Sequence, residues 1–178
     1  FGCDPDMACD ILARAAALGL VPHGLSFHVG SQQTDPAQWH QPIVQAARVF
    51  RRLARRGLDL ACLNLGGGFP ARYRREVPPI DAFGTAILAA VRQSFGGSRP
   101  ALMAEPGRYL VAEAGVLRTS AVLVSRRAAA GPGRWVYLDC GRFGGLAETA
   151  DEAITYPVSA VGRTGPPERV VLAGPTCD

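Results

Sequence analysis

The sequence has no lysine: all 19 residues counted as Lys plus Arg are arginine. That excludes a Walker A loop, whose lysine reaches the nucleotide phosphates, and no GxGxxG pattern stands in for it. Paired cysteines are also lacking. Cys3, Cys9, Cys62, Cys140 and Cys177 are scattered, with no CxxC and no histidine at zinc spacing. A disulfide framework and a structural metal are therefore not expected, and a reducing cytoplasm fits best. Apolar runs break at Gly, Pro or charge well before ~18 residues, and no basic segment precedes an apolar one, which argues against a membrane span or signal peptide. Aromatics are few, at 7%, and none lies between Arg51 and Arg56, where four arginines recur at helical spacing. Without rings to stack on bases, that stripe reads as a solvated helix face, and no nucleic-acid partner is expected. The chain also lacks an initiator Met, and it ends on Asp178 just after a Gly-Pro turn. On this reading it is a piece of a longer polypeptide.

What is present is enough for a packed core: 178 residues, 48% of them apolar, with a net charge of +4. Asp4-Pro5 is an N-cap followed by proline at the first helical position; Met7, Ile11, Ala15 and Leu18 share a face, and Gly19 stops the helix. Residues 24–29 alternate as a strand. Asp35-Pro36 opens a second helix, with Pro42 as a point of kinking and Gly57 as its end. Residues 60–65 form the next strand. Ile80, Phe83, Ile87 and Val91 mark a third helix, and 101–104 a third strand. Strands separated by helices of this length predict parallel βα units, in an α/β barrel or a doubly wound sheet. From about residue 115 the texture becomes β-rich, in VLRTSAVLV, RWVYLD and ERVVLA, with no convincing helix.

Each of the first three strands ends in chemistry: His28-Val-Gly-Ser31, then Gly66-Gly67-Gly68, then Glu105-Pro-Gly-Arg108. In a parallel barrel all strand C-termini open on one face, so these clusters converge. Glycine amides approach a phosphate closely because no Cβ intervenes, although a Gly run is also what a tight turn needs. His28 taken alone is a rim histidine, and Glu105 taken alone a local partner for Arg108. Together they suit a planar, phosphorylated, nitrogen-containing ring. His28 would stack on its face, Glu105 would pair with a pyridinium, and Gly67, Gly68 and Arg108 would take the phosphate.

SFHVGSQ, LNLGGGFP, AEPGRYLVAEAG, DCGRFGG and GPTCD follow the order and spacing of motifs in the fold-III pyridoxal-phosphate decarboxylases. The chain most resembles the ornithine and lysine decarboxylases, which are related to diaminopimelate decarboxylase. The resemblance implies part of an alanine-racemase-like (β/α)8 TIM barrel over residues 1–114. The start of a C-terminal β-sandwich-like domain follows over 115–178. It implies pyridoxal 5'-phosphate as cofactor and a cytoplasmic homodimer with shared active sites. By position, His28 stacks on the cofactor ring; Ser31, Gly67, Gly68 and Arg108 hold its phosphate; Glu105 keeps the pyridine nitrogen protonated. Cys177 matches the cysteine that returns a proton to the substrate's α-carbon in the partner's site, and Asp178 the acid that binds the distal amine of a diamino acid. No metal is implied.

Asp178 and Phe69 stand where diaminopimelate decarboxylases usually have Glu and Leu, which favours ornithine, yielding putrescine for polyamine biosynthesis, or lysine, yielding cadaverine. Tyr156-Pro157 replaces a Tyr-Asp whose acid helps hold the distal amine, leaving Glu148, Asp151 and Glu152 as substitutes. The Schiff-base lysine of the family has no counterpart here, so these residues alone are expected to be inactive. Two alternatives stay open: a diaminopimelate decarboxylase-type enzyme and a non-catalytic decarboxylase-like binding protein. A third, an unrelated phosphate-binding barrel, is disfavoured by five motifs in order.

Overall fold

The computed structural model describes residues 2–126, 133–152 and 154–176. The chain divides into two compact units, one comprising residues 1–72 and 77–113, the other 73–76 and 114–178.

The first unit is built from βα repeats. Helix α1 (Pro5–Ala17) starts where Asp4 Oδ1 accepts from the Asp6 and Met7 amides, both at 2.9 Å. This cap satisfies two otherwise unpaired donors, and Pro5 at the first position has no N–H to lose. Strand β1 (Gly24–Ser26) is followed by a 3-10 turn (Pro36–Trp39) capped by Asp35, then by helix α2 (His40–Ala54). The break in helical geometry falls at Trp39–His40, not at Pro42. Pro42 sits in the first turn of α2, where its missing N–H costs no hydrogen bond. Strand β2 (Cys62–Asn64), helix α3 (Ile80–Phe95) and strand β3 (Ala101–Met103) complete the pattern. A short helix α4 (Gly107–Val111), not anticipated from the sequence, follows directly.

The three strands pair in parallel in the order β1-β2-β3, with Ser26, Asn64 and Met103 level at their C-terminal ends. Each ladder is shorter than the apolar alternation predicts. Hydrogen bonds continue past it, from Phe27 N to Asn64 O (3.2 Å), from Leu65 N to Met103 O (2.8 Å) and from Glu105 N to Gly66 O (2.9 Å). Gly30, Gly66 and Gly68, with φ of 96°, 67° and 93°, then turn the backbone out of the extended region.

The core centres on Trp39, fully buried, with Ile43, Leu63, Phe83, Ile87 and Val91 around it. Its ring stacks on Phe69 at 4.9 Å and meets Phe83 edge-on at 5.6 Å, while its indole N–H donates to Leu65 O at 3.3 Å. Aromatic packing and a satisfied indole are compatible here because the ring spans from core to strand end. A second cluster of Cys9, Val49 and Leu53 joins α1 to α2. The arginine stripe is engaged locally: Arg52 pairs with Asp6, Arg56 with Asp10, and Arg51 donates to Ser94 O at the end of α3.

In the second unit β4 (Ala121–Arg126) runs antiparallel to β5 (Arg134–Leu138), which pairs in parallel with β6 (Val171–Ala173). Asp139 accepts from Thr119 Oγ1 and from Ser120 N (2.9 Å), fastening the turn after β5 to the residues before β4. These bonds hold its carboxyl below the usual range, the Thr119 bond most. The turns at Gly141 and Gly174 touch so closely that a Cβ on Gly174 would stand 2.6 Å from Gly141 Cα. A 3-10 segment (Ala147–Glu152) lies in the stretch predicted to lack helix. Tyr73 meets Tyr156 edge-on at 5.4 Å, which groups residues 73–76 with this unit.

Candidate functional site

The strand ends do converge. A Cβ on Gly66 would lie 2.1 Å from Phe27 O and 3.2 Å from His28 Cα. On Gly67 it would lie 2.5 Å from Glu105 O and 3.6 Å from His28 Cε1; on Gly68, 2.3 Å from Gly30 O. Real Cβ atoms do not approach backbone oxygens that closely. The three glycines are therefore required by the packing of three strand ends on one another, whatever they also bind. His28 is exposed, Gly66 and Gly67 are buried, and Gly68 is half-buried.

Two anchors fix the glycine turn to the core. Leu65 receives the Trp39 indole bond before it, and Phe69 stacks on the same ring after it. A third tie comes from the loop after β1: Gln33 N donates to Gly68 O at 2.8 Å. Gln32, at φ 54°, spans 39 residues to grip Ala71 with both ends of its amide, at 2.8 and 3.0 Å. Non-glycine residues rarely adopt that φ, and the two hydrogen bonds offset its cost.

Among the described residues, the Gly67 and Gly68 amides donate no hydrogen bond, although Gly67 is buried. Buried N–H groups are almost always paired, so the unpaired one at Gly67, with that of half-buried Gly68 beside it, marks a place for an acceptor from outside the chain. An anionic oxygen fits that demand. Ser31 follows Gly30, whose carbonyl packs against Gly68; Arg108 is in the first turn of α4, three residues past Glu105. The donors, the imidazole and the carboxylate fit a phosphorylated pyridine ring. Cys177 and Asp178 lie outside the described residues, as do the side chains of Asp151 and Glu152.

Sequence reasoning missed Asn64. Its Nδ2 donates to Glu105 Oε1 at 2.6 Å and its Oδ1 accepts from Gly66 N at 2.9 Å. The second bond is an Asx turn, legible in principle as Asn followed two residues later by Gly. The first is long-range and has no local signal. Gln32 was missed for the same reason.

A family model described as pyridoxal-dependent decarboxylase, pyridoxal binding domain, matches residues 1–112. The chain belongs to this family of decarboxylases. It is 31% identical over 180 residues to the lysine/ornithine decarboxylase of Selenomonas ruminantium, covering 100% of this chain and 44% of that protein. With the diaminopimelate decarboxylase of Pseudomonas fluorescens it shares 41% identity over 111 residues, covering 62% of this chain and 26% of that protein. The crystal structure of lysine/ornithine decarboxylase complexed with cadaverine from Vibrio vulnificus superposes with a TM-score of 0.84 and 36% identity, over 100% of this chain and 47% of that one. The chain thus spans less than half the length of the two lysine/ornithine decarboxylases. The fold is the fold-III class expected from the motifs, a partial α/β barrel with a sheet domain.

Proposed function

We propose that this chain is the cofactor-binding part of a pyridoxal-phosphate-dependent decarboxylase of a basic amino acid. Its substrate is L-ornithine, giving putrescine, or L-lysine, giving cadaverine, within polyamine biosynthesis. The observation that carries the reading is the meeting of His28, Gly67 and Glu105 at the ends of three parallel strands.

On this reading the Gly67 and Gly68 amides, with Ser31 and Arg108, hold the phosphate; His28 covers a ring face; and Glu105 pairs with the ring nitrogen. When bound, pyridoxal phosphate supplies an electron-withdrawing ring that accepts the electron pair freed as CO₂ leaves. A carboxylate beside that nitrogen favours its charged form. Cys177 Sγ holds the proton returned to the substrate's α-carbon, and Asp178 binds the distal amine. The active unit is a cytoplasmic homodimer with shared sites, and the scattered cysteines, with no CxxC pair, support a reducing compartment. No helix among the described residues is long and apolar enough to cross a membrane.

A second reading, decarboxylation of diaminopimelate, draws on the 41% identity to that enzyme over 111 residues. Product analysis with ornithine, lysine and diaminopimelate decides, carried out on a polypeptide in which this chain is joined to a lysine-bearing cofactor strand. Putrescine or cadaverine supports the first reading, lysine from diaminopimelate the second, and no CO₂ from any of them overturns both. Without lysine the chain has no side-chain amine to link the cofactor covalently in the site, so by itself it releases no steady CO₂ when mixed with cofactor and ornithine. Sustained release would contradict that.

A further inference from the structure

We infer that Asn64 is the positioning residue of this site, a single side chain that sets both the aim of the Glu105 carboxylate and the closure of the glycine turn. Asn64 ends β2, level with Ser26 and Met103. From there its amide reaches in two directions. Nδ2 donates to Glu105 Oε1 at 2.6 Å, and Oδ1 accepts from the buried Gly66 N–H at 2.9 Å. The opposite amide orientation would set N–H against N–H and oxygen against carboxylate, so the chemistry allows only this one.

The backbone supports the same junction from the other side, where Glu105 N donates to Gly66 O at 2.9 Å. Gly66 and Glu105 are thus joined twice, once through the main chain and once through Asn64. The main-chain bond fixes where residue 105 begins, but leaves its side chain free to rotate in the exposed position it occupies. Among the described residues, only the Asn64 bond restrains the carboxylate itself. A charge-assisted hydrogen bond of this kind is among the stronger side-chain contacts. Because one amide makes both bonds, losing the carboxylate frees Asn64 to turn and exposes the Gly66 N–H. Losing Asn64 frees the carboxylate. The role of Glu105 toward the ring nitrogen rests on the proposed function; the coupling between Asn64, Glu105 and Gly66 does not.

The test is residue-resolved amide hydrogen exchange on the purified chain and on Glu105→Ala, Asn64→Leu and the double variant, with the Val91 amide in the core of α3 as an internal reference. Glu105→Ala keeps every backbone bond, yet exchange at Gly66 speeds up about tenfold while Val91 is unchanged. Asn64→Leu gives a similar increase, and the double variant exceeds neither single, because all three break one network. Unchanged Gly66 exchange in Glu105→Ala overturns the inference, as does a double variant whose effect is the product of the two singles. Should Asn64→Leu unfold, Val91 exchanges as well, and Glu105→Ala alone decides. A second arm adds pyridoxal phosphate and follows its absorbance. Asn64→Leu binds it about tenfold more weakly and shifts the band that reports ring protonation. An unaltered chain that binds none of it contradicts the proposed function and leaves the exchange result to decide on Asn64.

Discussion

At Gly66 the backbone has φ 67° and a side chain would run into Phe27 O, whereas Gly19, at φ 82°, has open space around it. The two positions separate conformational cost from steric cost. Gly19→Ala is expected to lose about 1 kcal/mol of stability, the price of a left-handed alanine. Gly66→Ala adds a backbone collision to that cost, Gly67→Ala meets a collision alone, and both are expected to lose about 3 kcal/mol or more by urea unfolding. Equal losses at Gly19 and Gly66 would mean that the strand ends yield easily. Asp139 gives a pH test at the same scale. Its carboxyl is held below the ordinary 3.8 by Thr119 and Ser120, so its contribution to stability is complete above that value and is lost as pH falls through the lower, folded one. Asp139→Asn is expected to flatten the acid limb of thermal stability below pH 3.8, followed by circular dichroism. An unaltered limb would show that the clip contributes nothing.

Among elements, the segment from β2 to α3 organises the rest. Trp39 precedes α2, yet its indole fixes the residue before the glycine turn and its ring fixes the residue after. Trp39→Ala is expected to cost about 3–5 kcal/mol, as for other buried aromatics. Trp39→Phe keeps much of the packing, leaves Leu65 O without its donor and is expected to cost about 1–3 kcal/mol. Urea denaturation of both variants checks the order, and a Phe variant as damaged as Ala would shift the weight from packing to the hydrogen bond. Much of this framework was legible beforehand. Asp4-Pro5, Asp35-Pro36 and the spacing of Ile80, Phe83, Ile87 and Val91 are local signals, and local hydrogen bonds and helix faces obey them. The strands came out shorter than predicted because the apolar runs 24–29, 60–65 and 101–104 outlast the regular ladders, which stop at Ser26, Asn64 and Met103 before the glycine turns. Helix α4 went unseen because it is only five residues long and opens on Pro106-Gly107, a pair that ordinarily marks a turn. Asn64 and Gln32 were hidden for a different reason: their partners lie 41 and 39 residues away, and only the folded topology sets them side by side.

At the scale of the whole molecule, three separated segments bring His28, Gly67 and Glu105 together at one end of a parallel sheet. The candidate site was legible from sequence to the extent that His28, Gly67, Gly68 and Glu105 each end a strand, and parallel strands present their ends together. What sequence could not convey was that the glycines are required by the packing of the strand ends themselves. The most direct measurement is a titration of the isotopically labelled chain with pyridoxal phosphate, followed by amide and imidazole chemical shifts. The account predicts saturable changes centred on His28, Ser31, Gly67, Gly68, Glu105 and Arg108, with the Gly67 and Gly68 amides moving most. Shifts confined to other surfaces, or none at concentrations that saturate the family's cofactor sites, would contradict it.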